Sequence, residues 1–320
     1  MDDDGNRRSD PPASIPDPGA APSVPTCYRH LDRETYIRCT RCERPICPDC
    51  MTAASVGFQC PECVQKGQAA VRQGRTVFGG RIAEGAVVTK TLIGLNVLAF
   101  IAQYVVGLSQ SVERFALLGY ASNVQGEVIG VAAGEYYRLL TAAFLHGGLL
   151  HIAFNMWVLY ALGPQLEAAL GRIRFITLYL VSAIGGSVVS YMFSQPNSPS
   201  VGASGAIFGL MGATLVLGHA MRQEVTSVLV FIGINIAIGF VVPKIDWRAH
   251  LGGLLVGAAV AALFAYGPRL VGAGSGDLRS GMAVVADTAA ARAIVIGGLV
   301  LIVVVLAGLV VFRSNQLTGF

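Results

Sequence analysis

Charge is scarce in this chain. Asp, Glu, Lys and Arg make up 13% of its 320 residues, about half the roughly 25% of an average soluble domain. With 53% hydrophobic residues and a mean hydropathy of +0.60, that deficit excludes a water-soluble globule for most of the chain. Other absences narrow the field. No cysteine follows Cys63, so the apolar bulk offers no thiol nucleophile. No H-E-x-x-H occurs, which disfavours a zinc-type membrane protease. The middles of the apolar runs hold no Asp, Glu, Lys or Arg, against a transporter, which ordinarily places ionisable groups or broken helices at the midplane. Residues 1–25 are rich in Asp, Pro, Ser and Ala without the apolar core of a secretory signal, and are expected to form a disordered tail. No basic stripe suggests nucleic acid.

What is present is apolar and periodic. Seven runs approach the ~20 residues that cross a bilayer: 87–107, 148–163, 173–193, 203–218, 225–242, 249–266 and 293–312. They imply an all-α polytopic membrane protein in the lipid bilayer. The cationic residues beside the runs set its orientation. With the N-terminus cytoplasmic, the inner face carries Lys66, Arg72, Arg75, Arg81, Lys90, Arg172, Arg174, Arg222, Arg269, Arg279 and Arg292, and the outer face only Arg114, Arg138, Lys244, Arg248 and Arg313. That bias places the N-terminus inside and the C-terminus outside, and assigns the net charge of +4 to topology. Residues 108–147 are long for a passive connection and are expected to form short amphipathic helices at the interface.

All seven cysteines lie between Cys27 and Cys63, in the pattern C-x2-H-x8-C-x2-C-x4-C-x2-C-x9-C-x2-C. The four close pairs are Cys27/His30, Cys39/Cys42, Cys47/Cys50 and Cys60/Cys63. An x2 gap lets one tight turn grip a single ion, and eight ligands suit two closed tetrahedral zinc sites. A disulfide cluster is the competing reading, but the count is odd and a cytoplasmic head keeps its thiols reduced. With every position filled, this zinc is structural and plays no part in catalysis. Residues 26–66 are too few for a self-sufficient core, so zinc holds them folded, in a form suited to docking a protein partner. Spacing leaves open which pairs share a metal. A basic linker, 67–86, follows.

Polar residues gather at the openings of three apolar runs. The second opens with HGGLLHIAFN, carrying His146, His151 and Asn155; the fourth with Gly202-Ala203-Ser204-Gly205; the sixth with His250, after Asp246. In the topology above, all three runs travel outside to inside, so these residues share one depth. Polar groups placed there are costly and mark function. Ser204 is a nucleophile if a base takes its proton, and His250 is the candidate. His151 and Asn155, four apart, face one way and can donate to an oxyanion together with the Ser204 N–H. Each signal has a bland counterpart: G-x-S-G also packs helices, His146 can simply meet water, and Asp246 can simply face solvent. Gly205, Gly209 and Gly212, and His250, Gly253 and Gly257, form small-residue stripes that let backbones approach closely.

Taken together, HGGLLHIAFN, GASGAIFG and AHLGGLLVG resemble the rhomboid family of intramembrane serine proteases, over roughly residues 87–266. The resemblance implies a six-helix core (87–267) around a water-filled cavity, with Ser204 and His250 as a catalytic dyad and His151 and Asn155 as oxyanion donors. It implies hydrolysis of transmembrane or juxtamembrane segments of single-span membrane proteins. His146, Arg138, Gly202 and Gly205 are accessory candidates. Tyr137-Arg138 stands where the family's Trp-Arg pair is expected, with the Trp replaced. A cytoplasmic loop (268–292), a seventh span (293–312) and a short tail (313–320) lie beyond that core. The head resembles a B-box-like, cross-braced zinc finger, which implies that the first pair shares a metal with the third and the second with the fourth. The competing class is an inactive rhomboid-like protein that binds membrane clients. Such relatives commonly lack the serine or the histidine, and both are present here.

Overall fold

The computed structural model describes residues 24–70, 74–82, 84–123, 125–242, 245–272, 274–275, 284–285 and 288–319. The expected N-terminal tail up to residue 23, and Arg72, Lys244 and Arg279 of the charge count, lie outside them. The chain divides into two units, Met1–Arg72 and Gln73–Phe320.

The first unit has little regular structure. A 3-10 turn, Pro48–Cys50, precedes a hairpin of β1 (Thr52–Ala53) and β2 (Phe58–Gln59), and α1 (Pro61–Ala70) closes it. Its buried core consists of six cysteines and Ile46. So little apolar area cannot offset the entropy of ordering the chain, as is usual at this size. Something beyond hydrophobic burial must hold it.

The second unit is a helical bundle. Its long elements are α2 (Val87–Val106), α5 (Leu149–Leu170), α6 (Arg172–Phe193), α7 (Ser204–Ala220), α8 (Thr226–Val241), α9 (Trp247–Tyr266) and α10 (Ala289–Thr318). Between α2 and α5 lie two short helices, α3 (Leu108–Phe115) and α4 (Arg138–Thr141), and a hairpin of β3 (Ala121–Ser122) and β4 (Val128–Ile129). Among the described residues five helices are long and apolar enough to cross a membrane, while α7 and α8, with 17 and 16 residues, are shorter. At 1.5 Å per residue α7 is about 26 Å long, less than the ~30 Å hydrocarbon layer. The protein is a multi-pass membrane protein of six core helices plus one.

Glycine brings the centre of the bundle together. A Cβ on Gly253 would lie 2.6 Å from the carbonyl carbon of Gly205, and one on Gly186 would lie 3.1 Å from the Gly205 Cα. Gly257 backs onto Gly209 in the same way, and Gly212 onto the Leu254 carbonyl. The stripes legible in the sequence thus press α6, α7 and α9 backbone to backbone. Elsewhere single polar contacts fix the packing. The start of α2 has no side-chain cap of its own, because Ala86 precedes it in a left-handed conformation (φ 46°). Glu167 of α5 supplies the cap, accepting from the Val88 and Thr89 amides (3.0 and 2.9 Å) and the Thr89 hydroxyl (2.9 Å). Helix α10, longer at both ends than its apolar run, is joined to α6 by a buried Tyr191–Ser314 hydrogen bond of 2.9 Å.

The segment 108–147 contains the expected short helices and also the hairpin. Its turn is organised by Asn123, whose Oδ1 accepts from the Gln125 and Glu127 amides at 3.0 and 2.8 Å, an Asx turn.

Candidate active site

Residues 196–202 lead into α7 and are held by main-chain bonds. Leu117 and Ser200 exchange two hydrogen bonds of 3.0 Å, Gly119 and Tyr120 donate to the Pro196 carbonyl, and the Gly202 amide donates to Ala142 at 2.9 Å. Gly202 has φ +132°, a conformation that disfavours side chains. A Cβ there would lie 2.9 Å from His151 Nε2 and 3.5 Å from Ser204 Oγ. The imidazole of His151 and the Ser204 hydroxyl therefore flank the same bare Cα. Ser204 opens α7, where the first amides of a helix have no partner within it.

On α5, His151 and Asn155 stand one turn apart. The Gly147 amide donates to His151 Nδ1 at 3.2 Å, which leaves the ring proton of a neutral imidazole on Nε2, the nitrogen beside Gly202. The Asn155 amide is 3% exposed and donates one hydrogen to the His151 carbonyl at 2.9 Å. On α9, His250 lies in the first turn with its ring stacked on Phe208, centroids 4.2 Å apart and planes within 8°. Its Nδ1 is buried without a hydrogen-bond partner among the described residues.

A cavity of about 390 Å³ joins these groups, lined by His151, Asn155, Ser204 and His250 together with Asn235, Asp246 and apolar neighbours. Four of the sequence candidates thus meet at one hollow. Gly202 lies between His151 and Ser204 without lining the cavity, and Gly205 sits behind, where α7 meets α6 and α9.

His146 and Arg138 are elsewhere. The His146 ring is buried behind His151, edge to face at 5.2 Å, and its backbone is clasped on both sides by the Gln103 amide (2.9 and 3.3 Å). Arg138 is 1% exposed and braces the outer segment, donating to Glu135 at 2.7 Å and to the Ala116 carbonyl at 2.9 Å. The Tyr137 hydroxyl bonds to Glu135 (3.0 Å) and the Arg114 carbonyl (3.2 Å). Burial works against the Glu135 charge, but the Arg138 and Gly130 donors outweigh it and hold this carboxyl below its ordinary range. Asp246, which also lines the cavity, caps the first turn of α9 through the Ala249 amide and accepts from the Ser190 hydroxyl in the last turn of α6.

Sequence reasoning missed Phe208, Gln103 and Asn235, which also lines the cavity. Phe208 lies four residues after Ser204, on the same helix face, and Gln103 is an amide inside an apolar run, which is a signal the sequence carries.

The first unit holds two four-residue clusters, Cys27/His30/Cys47/Cys50 and Cys39/Cys42/Cys60/Cys63, each with its ligand atoms within 4.8 Å of one another. The first pair joins the third and the second joins the fourth. His30 Nδ1 lies 3.2, 3.4 and 4.0 Å from the sulfurs of Cys47, Cys50 and Cys27, and Cys42 and Cys60 are 3.7 Å apart. A tetrahedron with 2.3 Å metal–sulfur bonds spaces its sulfurs by about 3.8 Å, so the cages fit a metal ion. Burial raises the Cys27 and Cys39 thiols, but surrounding backbone amides bring both down to about 6. Burial and neighbouring sulfurs push Cys50 up to about 11 and Cys63 to about 12. Such cages, one of three thiols and a histidine and one of four thiols, resist holding all their sulfurs as thiolates until a cation neutralises them.

The Rhomboid domain model matches residues 133–267. The chain is 38% identical over 196 residues to Rhomboid protease GluP of Bacillus subtilis (strain 168), covering 58% of this chain and 37% of GluP. It is 38% identical over 168 residues to RHOMBOID-like protein 6, mitochondrial, of Arabidopsis thaliana, covering 50% and 52%. With the rhomboid-type protein YdcA of Bacillus subtilis it shares 34% over 160 residues, 48% of this chain and 80% of YdcA. The match spans only about a third to a half of the first two relatives, but most of YdcA. The chain belongs to the rhomboid family.

Proposed function

We propose that the protein is an intramembrane serine endopeptidase that cleaves transmembrane or juxtamembrane segments of single-span proteins. One observation carries this reading: three helix starts, remote in sequence, deliver Ser204, His250, His151 and Asn155 to one cavity. In the proposed reaction the Ser204 proton passes to the His250 imidazole as Oγ bonds to the scissile carbonyl carbon. The developing oxyanion is met by His151 Nε2–H, the free Asn155 amide hydrogen and the Ser204 N–H. Collapse expels the amine, which takes the proton from the imidazolium, and water then resolves the acyl-enzyme by the reverse sequence. Gly202, with no side chain, leaves room for the substrate backbone beside both groups. Arg138 and His146 act as positioning residues through the outer segment and the back of the His151 ring.

The head holds two structural zinc ions in this reading, and no metal takes part in the hydrolysis. The arginines beside the helix ends support a cytoplasmic N-terminus and an outer C-terminus. A protein partner of the zinc head, and 26–66 and 87–267 as its two functional domains, complete the proposal.

The test is cleavage of a model single-span substrate in proteoliposomes by the wild type and by Ser204→Ala. Activity should fall to background in the variant, and a fluorophosphonate should label Ser204 only while His250 is intact. Undiminished cleavage by Ser204→Ala would falsify the assignment.

A further inference from the structure

A larger cavity, about 680 Å³, lies at the other end of the bundle. The Leu170 end of α5 borders it, nineteen residues after His151, or about 28 Å along the helix. That is close to one hydrocarbon thickness, so this cavity lies at the opposite membrane face from Ser204.

Five arginines line it: Arg75, Arg81, Arg172, Arg174 and Arg292. They come from three stretches far apart in sequence, and no Asp or Glu lines the cavity with them among the described residues. Topological bias accounts for arginines at a cytoplasmic face, but it scatters them over loops and gives no reason for five to surround one hollow. The cluster is pre-formed. Arg172 donates to the Glu84 carbonyl at 3.0 Å, Arg75 to Gly79 at 3.3 Å and Arg174 to Phe78, and Arg174 also lies 5.2 Å over the Phe264 ring. Arg75, Arg174 and Arg292 make further interactions within the chain. Glu167 reaches Arg172 only at 4.0 Å and already accepts from Val88 and Thr89.

The remaining wall is apolar. Val295, Ile296 and Leu299 of α10 contribute to it with Phe264, Leu170 and Ile173, Thr177 being the polar exception, and Ile296 is exposed. A cationic pocket that opens along an apolar helix suits a ligand with an anionic head and a hydrocarbon tail. We infer that this cavity binds an anionic phospholipid, with its phosphate among the five arginines and an acyl chain along α10. Bidentate guanidinium–phosphate pairing supplies the recognition. Because Arg172 and Arg174 open α6 while Arg292 belongs to α10, the lipid ties the seventh helix to the core.

Native mass spectrometry of the full-length protein in neutral detergent tests this, with dioleoyl phosphatidylglycerol against dioleoyl phosphatidylcholine. Glycerol 3-phosphate and inorganic phosphate serve as tail-free arms. The wild type should retain phosphatidylglycerol selectively, and Arg172→Gln/Arg292→Gln should weaken that retention about 25-fold, at roughly fivefold per cation. Arg222→Gln, outside the cavity, should leave it unchanged. Equal retention of both lipids by the wild type, or binding of glycerol 3-phosphate as tight as that of phosphatidylglycerol, overturns the proposal without recourse to any variant. So does a folded double variant that binds like the wild type.

Discussion

The contact between Gly205 and Gly253 sets how far Ser204 stands from His250, and a single methyl group tests it. In Gly253→Ala the new Cβ would meet the Gly205 carbonyl carbon at 2.6 Å and its Cα at 3.0 Å. Ordinary carbon contacts begin near 3.5 Å and the Gly205 carbonyl oxygen lies closer still, so α7 and α9 must separate by at least about 0.9 Å. Both partners are backbone, and no side chain can rotate away to absorb the shift. Overpacking of this kind costs about 1–3 kcal/mol, while displacing reacting groups by about 1 Å can cost 10²-fold in rate. Gly253→Ala should therefore cleave a fluorogenic single-span substrate about 10²-fold more slowly, with a melting temperature lower by several degrees. Gly233→Ala on α8 is the control, because its Cβ meets nothing within 4 Å. Losing a helical glycine there should be neutral or stabilising by up to about 1 kcal/mol. Wild-type activity in Gly253→Ala, or an equal defect in Gly233→Ala, would show that this close approach does not govern the site.

Asp246→Asn should retain activity within about tenfold, because the carboxylate serves the Ala249 amide and Ser190 and Asn is an equally good cap; a loss near 10⁴ would mark it instead as the orienting member of a triad. The Glu135 carboxyl, held below its ordinary range by Arg138 and Gly130 despite burial, adds stability that is complete above the unfolded value near ~4.3 and lost as pH falls through the lower folded value. Melting curves on descending pH should therefore fall more steeply for the wild type than for Glu135→Gln, and parallel curves would refute the pairing. Chelation of the full-length protein should release about two zinc ions and expose residues 24–70 to limited proteolysis while 133–267 stays protected. Release of metal with no change in digestion would separate metal binding from folding in the head.

The candidate site was legible because its residues contradict their surroundings. Histidine and asparagine at the mouths of apolar runs have little packing value, and the glycine stripes on α7 and α9 announced which helices would touch. Cross-bracing of the head was not contained in the spacing; it followed only from the zinc-finger resemblance, and the cages show that pairing. Other features were hidden for physical reasons. Phe208 is one aromatic among many in a membrane run, so nothing singled out its stacking on His250. Pro164 closed the second apolar run in the sequence, yet it sits inside α5, where neighbouring groups tolerate a missing N–H. The last turns of α5, and Glu167 within them, were therefore concealed. The hairpin at residues 121–129 rests on one asparagine side chain, too local a device to register as periodicity.

The carboxylate of Glu167 has a consequence for how the protein is made. Val88 and Thr89 leave the first turn of α2 with amides that only a residue nearly eighty positions downstream satisfies. During synthesis α2 must enter the bilayer well before α5 exists, with those amides turned to headgroup water or to a temporary partner in the insertion machinery. Its final depth and tilt are settled only when α5 arrives. Assembly of this bundle is thus not a sequence of finished helices; its earliest span is completed by a later one.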